Sequence, residues 1–314
     1  MRVAVTGASG FVGGTVSRHL LAHGCDVVAF GRRPGDDPTG VPDAEVRYWD
    51  IVTGPLTDPP AVDAVVHSAA FVGDVGAREP VRRTNVEGTV HVARTFPRAR
   101  LVHISTCSVY HPARPQVMAT EDEAPPPETV RWPSPYGETK ALAERELRRR
   151  RPDAVVLRPH AVYGPGDTTL MPRLREAGAH GVIPLPGSGR QRHSVTLVAN
   201  LAEACRLACQ PDAPPGVYNV SDPEPVVLAD AMAHLAAQPD GSLPRVRPTS
   251  AGLLLAAAVV GETLNRTTRH PRRPPITRYT VGHLGRERTF DITAARTRLG
   301  YDPAPTALEH CERW

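Results

Sequence analysis

The sequence predicts an α/β protein: a doubly wound parallel sheet followed by a smaller C-terminal substrate lobe. Three observations carry this. Short apolar runs, most of them β-branched, fall at 3–6, 27–30, 46–49, 64–67, 101–105 and 155–158, with helical or loop segments between them. That alternation is the rhythm of a parallel sheet covered by helices. A glycine-spaced turn follows the first run and opens a helix. After Pro159 the rhythm breaks into connections rich in Pro and Gly, which mark a different unit.

Taken in order, the run 3–6 leads into Thr6, Gly7, Ala8, Ser9, Gly10, Phe11, Val12 and Gly13. In a Rossmann-like strand-turn-helix unit, the first glycine makes the tight turn and the second lets backbone approach a pyrophosphate. The third packs helix on strand, and the helix N-terminus faces the anion. Gly7, Ser9, Gly10, Phe11, Val12 and Gly13 are therefore expected to bind a dinucleotide. The run 27–30 ends at Gly31, where an NAD site usually places a carboxylate, and continues into Arg32 and Arg33. These can pair with a 2′-phosphate, which favours NADP over NAD. Asp50 and Ile51 end the third run and are candidates to bond and cover the adenine. The expected division is 1–165 for the dinucleotide-binding domain and 166–314 for the lobe, with 194–222 folding back and 217–220 returning to the main sheet. The apolar stretch 251–260 is half the ~20 residues needed to cross a bilayer. It reads as part of a lobe helix, 253–264, that covers the substrate.

Composition narrows the class. At 314 residues and 40% hydrophobic content the chain can bury a large core. The net charge of +4 is small, and the arginine runs 148–151 and 269–273 lack interleaved aromatics, so nucleic-acid binding is not expected. The first run closes a predicted helix, where cations complement the dipole. Five cysteines without a C-x-x-C pair fit reduced thiols, and no metal site is expected. Cys205 and Cys209 read as core packing. Met1 runs straight into a strand with no secretory leader, which suggests a cytoplasmic protein.

The chemistry centres on Lys140, the sole lysine among 37 basic residues. An ammonium is a compact point charge that a guanidinium cannot replace in a tight polar pocket. Tyr136 lies four residues before it, on the same face of a helix opened by Ser134 and Pro135. A tyrosine needs its pKa lowered to serve as acid–base catalyst, and a nearby fixed ammonium can do that. Lys140 can also bond a ribose. The run 101–105 ends in hydroxyls, and Thr106 would hold the substrate oxygen that gains or loses the proton.

These residues resemble those of the extended short-chain dehydrogenases/reductases, the NAD(P)-dependent epimerase, dehydratase and hydroxysteroid dehydrogenase group. The resemblance covers nearly the whole chain. It includes His67-Ser68-Ala69-Ala70, then Thr84-Asn85-Val86-Glu87-Gly88-Thr89 opening a helix, and the stretch from Leu157 through Arg158, Pro159, His160, Ala161 and Val162 to Gly166. It implies Thr106, Tyr136 and Lys140 as catalytic residues, with Ser68, Ala69 and Ala70 lining the cofactor and Asn85 supporting the site. Pro159, His160, Ala161 and Val162 would contact the nicotinamide end. The C-terminal half is similar to the 3β-hydroxysteroid and sterol-4-carboxylate dehydrogenase branch, through Tyr218-Asn219-Val220-Ser221-Asp222-Pro223, Ile276-Thr277-Arg278-Tyr279, Leu299-Gly300-Tyr301-Asp302-Pro303 and Trp314. That branch implies NADP-dependent hydride transfer at a 3-oxo or 3-hydroxy group of a mainly apolar substrate, sterol-like or 3-ketoacyl, and a homodimer. Sugar-nucleotide dehydratases carry an acid pair after the threonine. Here Cys107 and Ser108 stand there, which argues against dehydration. A nucleotide-sugar epimerase stays open, with Arg173, Arg190 or Arg192 for its pyrophosphate, as does a non-enzymatic dinucleotide-binding regulator.

Overall fold

The computed structural model describes residues 1–34, 43–73, 78–268, 276–309 and 311. The arginine run 269–273 and Trp314 lie outside the described residues.

Seven strands form one parallel sheet: β1 (Arg2–Thr6), β2 (Asp26–Gly31), β3 (Glu45–Tyr48), β4 (Ala64–His67), β5 (Arg100–Ile104), β6 (Val155–Pro159) and β7 (Gly216–Val220). Their order is β3-β2-β1-β4-β5-β6-β7, all pairs parallel. The strand order reverses between β1 and β4, and at such a switch point the strand ends leave a crevice for ligand.

Alternation along each strand divides the core. On one face Val3, Val5, Val27, Val66, Val102, Val155 and Leu157 pack with Val16 and Leu20 of α1 (Phe11–Ala22) and Leu201 and Cys205 of α4 (Val198–Ala208). On the other, Ala4, Val28, Phe30, Val65, Leu101 and Val156 meet Val92 of α2 (Gly88–Thr95) and Leu147 of α3 (Pro135–Arg150). Successive strand side chains point oppositely, so a run apolar at every position is what two covered faces require. Each fully buried Val or Leu contributes about 1.5–3 kcal/mol. Cys205 and Cys209 sit in this core, and burial pushes both thiols up.

Thr84 to Thr89 does not open its helix. The helix begins at Arg78, passes through a π-turn at Arg83–Glu87 and continues as α2. Beyond the sheet, a four-stranded array joins Val226–Val227, Arg192–His193, β8 (Arg288–Phe290) and Gln116–Ala119. It sets β8 beside the strand that follows the Thr106 turn. Two more helices, α5 (Ala251–Thr268) and α6 (Arg278–Leu284), pack through Leu254, Ala258 and Val281. Along α5, Leu253, Val260 and Leu264 are 69%, 58% and 57% exposed, while Ala251, Gly252 and Leu255 line a cavity. No helix among the described residues is long and apolar enough to cross a membrane.

Candidate active site

The glycine turn forms a cradle that side chains would fill. Gly7 has φ +71°, and a Cβ there would stand 2.8 Å from the backbone of Ala69; a Cβ on Gly13 would stand 2.2 Å from the Gly7 carbonyl. Gly10 caps α1 without a side-chain hydrogen bond, which leaves the first-turn N–H groups of the helix for an anion. Close backbone approach and an open helix N-terminus fit a dinucleotide pyrophosphate.

A cavity of about 1010 Å³ runs from this cradle across the strand ends. Gly7, Ser9, Gly10, Phe11, Val12, Gly13, Arg32, Asp50, Ile51, Ser68, Ala69, Ala70, Thr106, Tyr136, Lys140, Pro159, Ala161 and Val162 line it. Arg33, Asn85 and His160 do not. Arg33 is exposed beside Arg32. Asn85 is buried and ties two elements together: Oδ1 accepts from Phe71 N at 2.7 Å, and Nδ2 donates to Thr139 Oγ1 at 3.0 Å. His160 faces away, with Nδ1 donating to the Ser194 carbonyl at 2.6 Å and Nε2 lying 3.2 Å from His283 Nε2. Ala161 next to it holds φ +46°, a left-handed conformation uncommon for a residue with a Cβ. Arg173 lines the cavity; Arg190 and Arg192 do not.

Local sequence places the catalytic candidates. Ser134 accepts from Tyr136 N at 3.2 Å and Pro135 takes the first helical position, so α3 starts where Tyr136 enters the cavity. A Cβ at Gly137 would stand 2.7 Å from the Ser108 carbonyl; glycine lets α3 close onto the Thr106 turn. Thr106 caps that turn, its Oγ1 accepting from Ser108 N at 3.1 Å and donating to Ser108 Oγ at 3.2 Å. Ser108 Oγ lies 3.4 Å from the Tyr279 hydroxyl on α6. Thr106, Ser108, Tyr136 and Tyr279 thus converge as a group of hydroxyls.

Electrostatics differ from the simplest expectation. Burial holds the Tyr136 phenol above the ordinary tyrosine value, the Tyr279 phenol pushes it further, and the hydrogen bond to Thr106 pulls it down. Lys140 Nζ donates to the Ile104 carbonyl at 2.6 Å, and burial lowers it to about 8 while Glu144 raises it. Cys107 is buried, its Sγ on the Arg158 carbonyl, and burial raises the thiol, so it is a packing residue.

Sequence reasoning missed Tyr279 as a site residue and missed the network behind Lys140. Glu144, one turn further along α3, forms a buried ion pair with Arg158 at 2.7 Å and accepts from the Ser105 hydroxyl. The i, i+4 spacing from Lys140 to Glu144 was a usable signal. Tyr279 lay in a segment that carried the branch resemblance, but nothing in it pointed to the site, because only the lobe's packing brings α6 to the Thr106 turn.

The profile of the NAD dependent epimerase/dehydratase family matches residues 3–221. A 2-alkyl-3-oxoalkanoate reductase of Stenotrophomonas maltophilia is 32% identical over 333 aligned positions, covering 100% of this chain and 98% of that protein. A 3-beta-hydroxysteroid dehydrogenase of Mycolicibacterium neoaurum is 29% identical, covering 99% and 90%. The solved structure of UDP-glucuronic acid 4-epimerase from Bacillus cereus in complex with NAD superposes with a TM-score of 0.72 over 99% of this chain and 96% of that one, at 22% identity, a likeness of fold alone. The seven-stranded sheet, the glycine cradle and these matches place the chain in the NAD-dependent epimerase/dehydratase family of extended short-chain dehydrogenases/reductases, as an NAD(P)-dependent oxidoreductase.

Proposed function

We propose that the protein is an NADP-dependent reductase that interconverts a ketone and a secondary alcohol, at a 3-oxo or 3-hydroxy position of a mainly apolar substrate. The observation that carries this is that Tyr136, Thr106 and Lys140 line the same cavity as the glycine cradle. The similarity to an oxoalkanoate reductase and a hydroxysteroid dehydrogenase supports it. Gly31 and exposed Arg32 at the end of β2 support NADP, because no carboxylate stands there to repel a 2′-phosphate.

The cofactor supplies the hydride; the chain's own groups handle the oxygen. Burial keeps the Tyr136 phenol protonated, the state needed to donate a proton to a ketone oxygen as negative charge develops on it. Thr106 Oγ1, fixed by the Ser108 amide, holds that oxygen. Lys140, fixed on Ile104, presents its ammonium to the cavity and positions the ribose. Cys107 and Ser108, where a dehydratase would hold two acids, leave no partner for removing water.

Purified protein given a panel of 3-ketones should consume NADPH, measured by absorbance at ~340 nm, with NADH at least tenfold poorer in kcat/KM. Tyr136→Phe should lower kcat by about 10²–10⁴ with NADPH binding unchanged. Isomerisation of UDP-sugars without turnover of any ketone would replace this reading by an epimerase.

A further inference from the structure

A second cavity, of about 540 Å³, adjoins the dinucleotide cavity, and Ser108 and Tyr279 line both. Its wall carries Arg131, Arg278, Arg286 and Arg288 and neither Asp nor Glu. Arg278 is ion-paired with Glu262 at 2.8 Å. The other three have no carboxylate partner among the described residues. Arg286 donates to the Gly282 carbonyl at 2.7 Å. Arg288 is only 3% exposed, and all three of its guanidinium nitrogens donate to backbone carbonyls, Nε to His283 at 3.5 Å, Nη1 to Arg114 at 2.9 Å and Nη2 to Pro112 at 2.7 Å, which leaves one N–H on each Nη for a ligand.

A buried cation without a counterion is costly, and carbonyl dipoles offset that cost only in part. Burial accordingly pulls Arg288 down to about 10. No Asp or Glu lines this cavity, and the Tyr279 phenol is the acidic group that acts on Arg288. His160, His193 and His283, whose ring nitrogens lie within 4.8 Å of one another, are all lowered by burial and by Arg288, and stay neutral. Beside the arginines the wall is partly apolar, with Ala251, Leu255 and Val281, and partly polar, with Ser108, Tyr110, Tyr279 and His283.

We propose that this cavity receives a carboxylate of the substrate, bound by Arg286 and Arg288 with Arg131 at the rim, while an apolar chain lies along α5 and the ketone reaches Tyr136. The substrate is then a 3-oxo acid rather than a neutral sterol. The assignment rests on the ketone-reductase reading for its chemistry, but its binding test does not depend on turnover.

Calorimetry on the NADPH-loaded protein should show decanoate binding at least tenfold tighter than decan-1-ol, with the preference weakening as salt rises. Arg286→Met and Arg131→Ala together should reduce the preference to less than threefold and leave decan-1-ol unchanged. Arg288→Gln should do the same; because it also holds His283, Pro112 and Arg114, its fold is checked by circular dichroism, and the Arg286→Met, Arg131→Ala double variant decides if it unfolds. Equal binding of acid and alcohol overturns the proposal. So does tighter binding of UDP than of decanoate that is lost in Arg286→Met, since the oxyanion is then a phosphate. Decanoate binding with no ketone turned over would sink the reductase reading and leave the anion site standing.

Discussion

Lys140 is 3% exposed, and its ammonium rests on the Ile104 carbonyl rather than on a carboxylate. Its folded value of about 8 lies below the usual 10.5. Between the two, the unfolded chain keeps the proton and the folded protein has released it, so this group makes stability rise with pH across that window. Buried tyrosines pull the other way above about pH 10, which confines a clean reading to pH 8–9.5. Over that span the gain is about 1–2 kcal/mol. Urea unfolding of wild type and Lys140→Met at pH 7.5 and 9.5 should show the wild-type-minus-variant difference growing by that amount; a constant difference rules out the depressed lysine. Lys140 and Tyr136 were legible because residue type and helical spacing both pointed to them. Tyr279 was not, since a tyrosine in a C-terminal helix announces nothing until α6 is packed.

At the scale of elements, α3 carries both the chemistry and its support. Its first turn presents Tyr136, its second Lys140, and its third Glu144, which meets Arg158 of β6 where both side chains are nearly fully buried. Removing one member of such a pair leaves an unpartnered buried charge and costs about 3–5 kcal/mol. Glu144→Gln should therefore lower unfolding free energy by about 3 kcal/mol, and Glu144→Gln with Arg158→Met should recover most of it; a single variant as stable as wild type would show the pair to be dispensable. The sheet strands were readable to within a residue or two, because continuous apolar runs have few other uses. Helix α5 was legible as a lobe helix, but an apolar run does not say which neighbour covers it: Leu254 and Ala258 are buried, Leu255 lines the second cavity, and Leu253, Val259 and Val260 are exposed. The π-turn around Asn85 was equally invisible, since its residues suit an ordinary helix.

For the molecule as a whole, the sheet and the lobe share a dependence on neutral histidines. His67 and His103 lie within the main sheet, where burial lowers His67 to about 3 and His103 well below its ordinary range, with Lys140 adding to both. Among the described residues, neither ring nitrogen of His103 has a hydrogen-bond partner. In the lobe, burial lowers His160 to about 4, His193 to about 3 and His283 well below 6.5. Each folded value lies below the unfolded one. From about pH 6.5 downward the unfolded chain takes up protons that the folded protein refuses, and stability falls with pH. Each histidine withdraws up to about 2 kcal/mol between pH 6.5 and 5, and five such groups rival a total stability of ~5–15 kcal/mol. Thermal unfolding followed by circular dichroism should show Tm dropping by more than 10 °C between pH 7.5 and 5.5, with loss of fold near pH 5. His103→Leu, which removes one buried imidazole with no partner to lose, should shift that acid limb to lower pH. A Tm flat from pH 7.5 to 5 would mean that water or rearrangement lets these rings charge inside the fold.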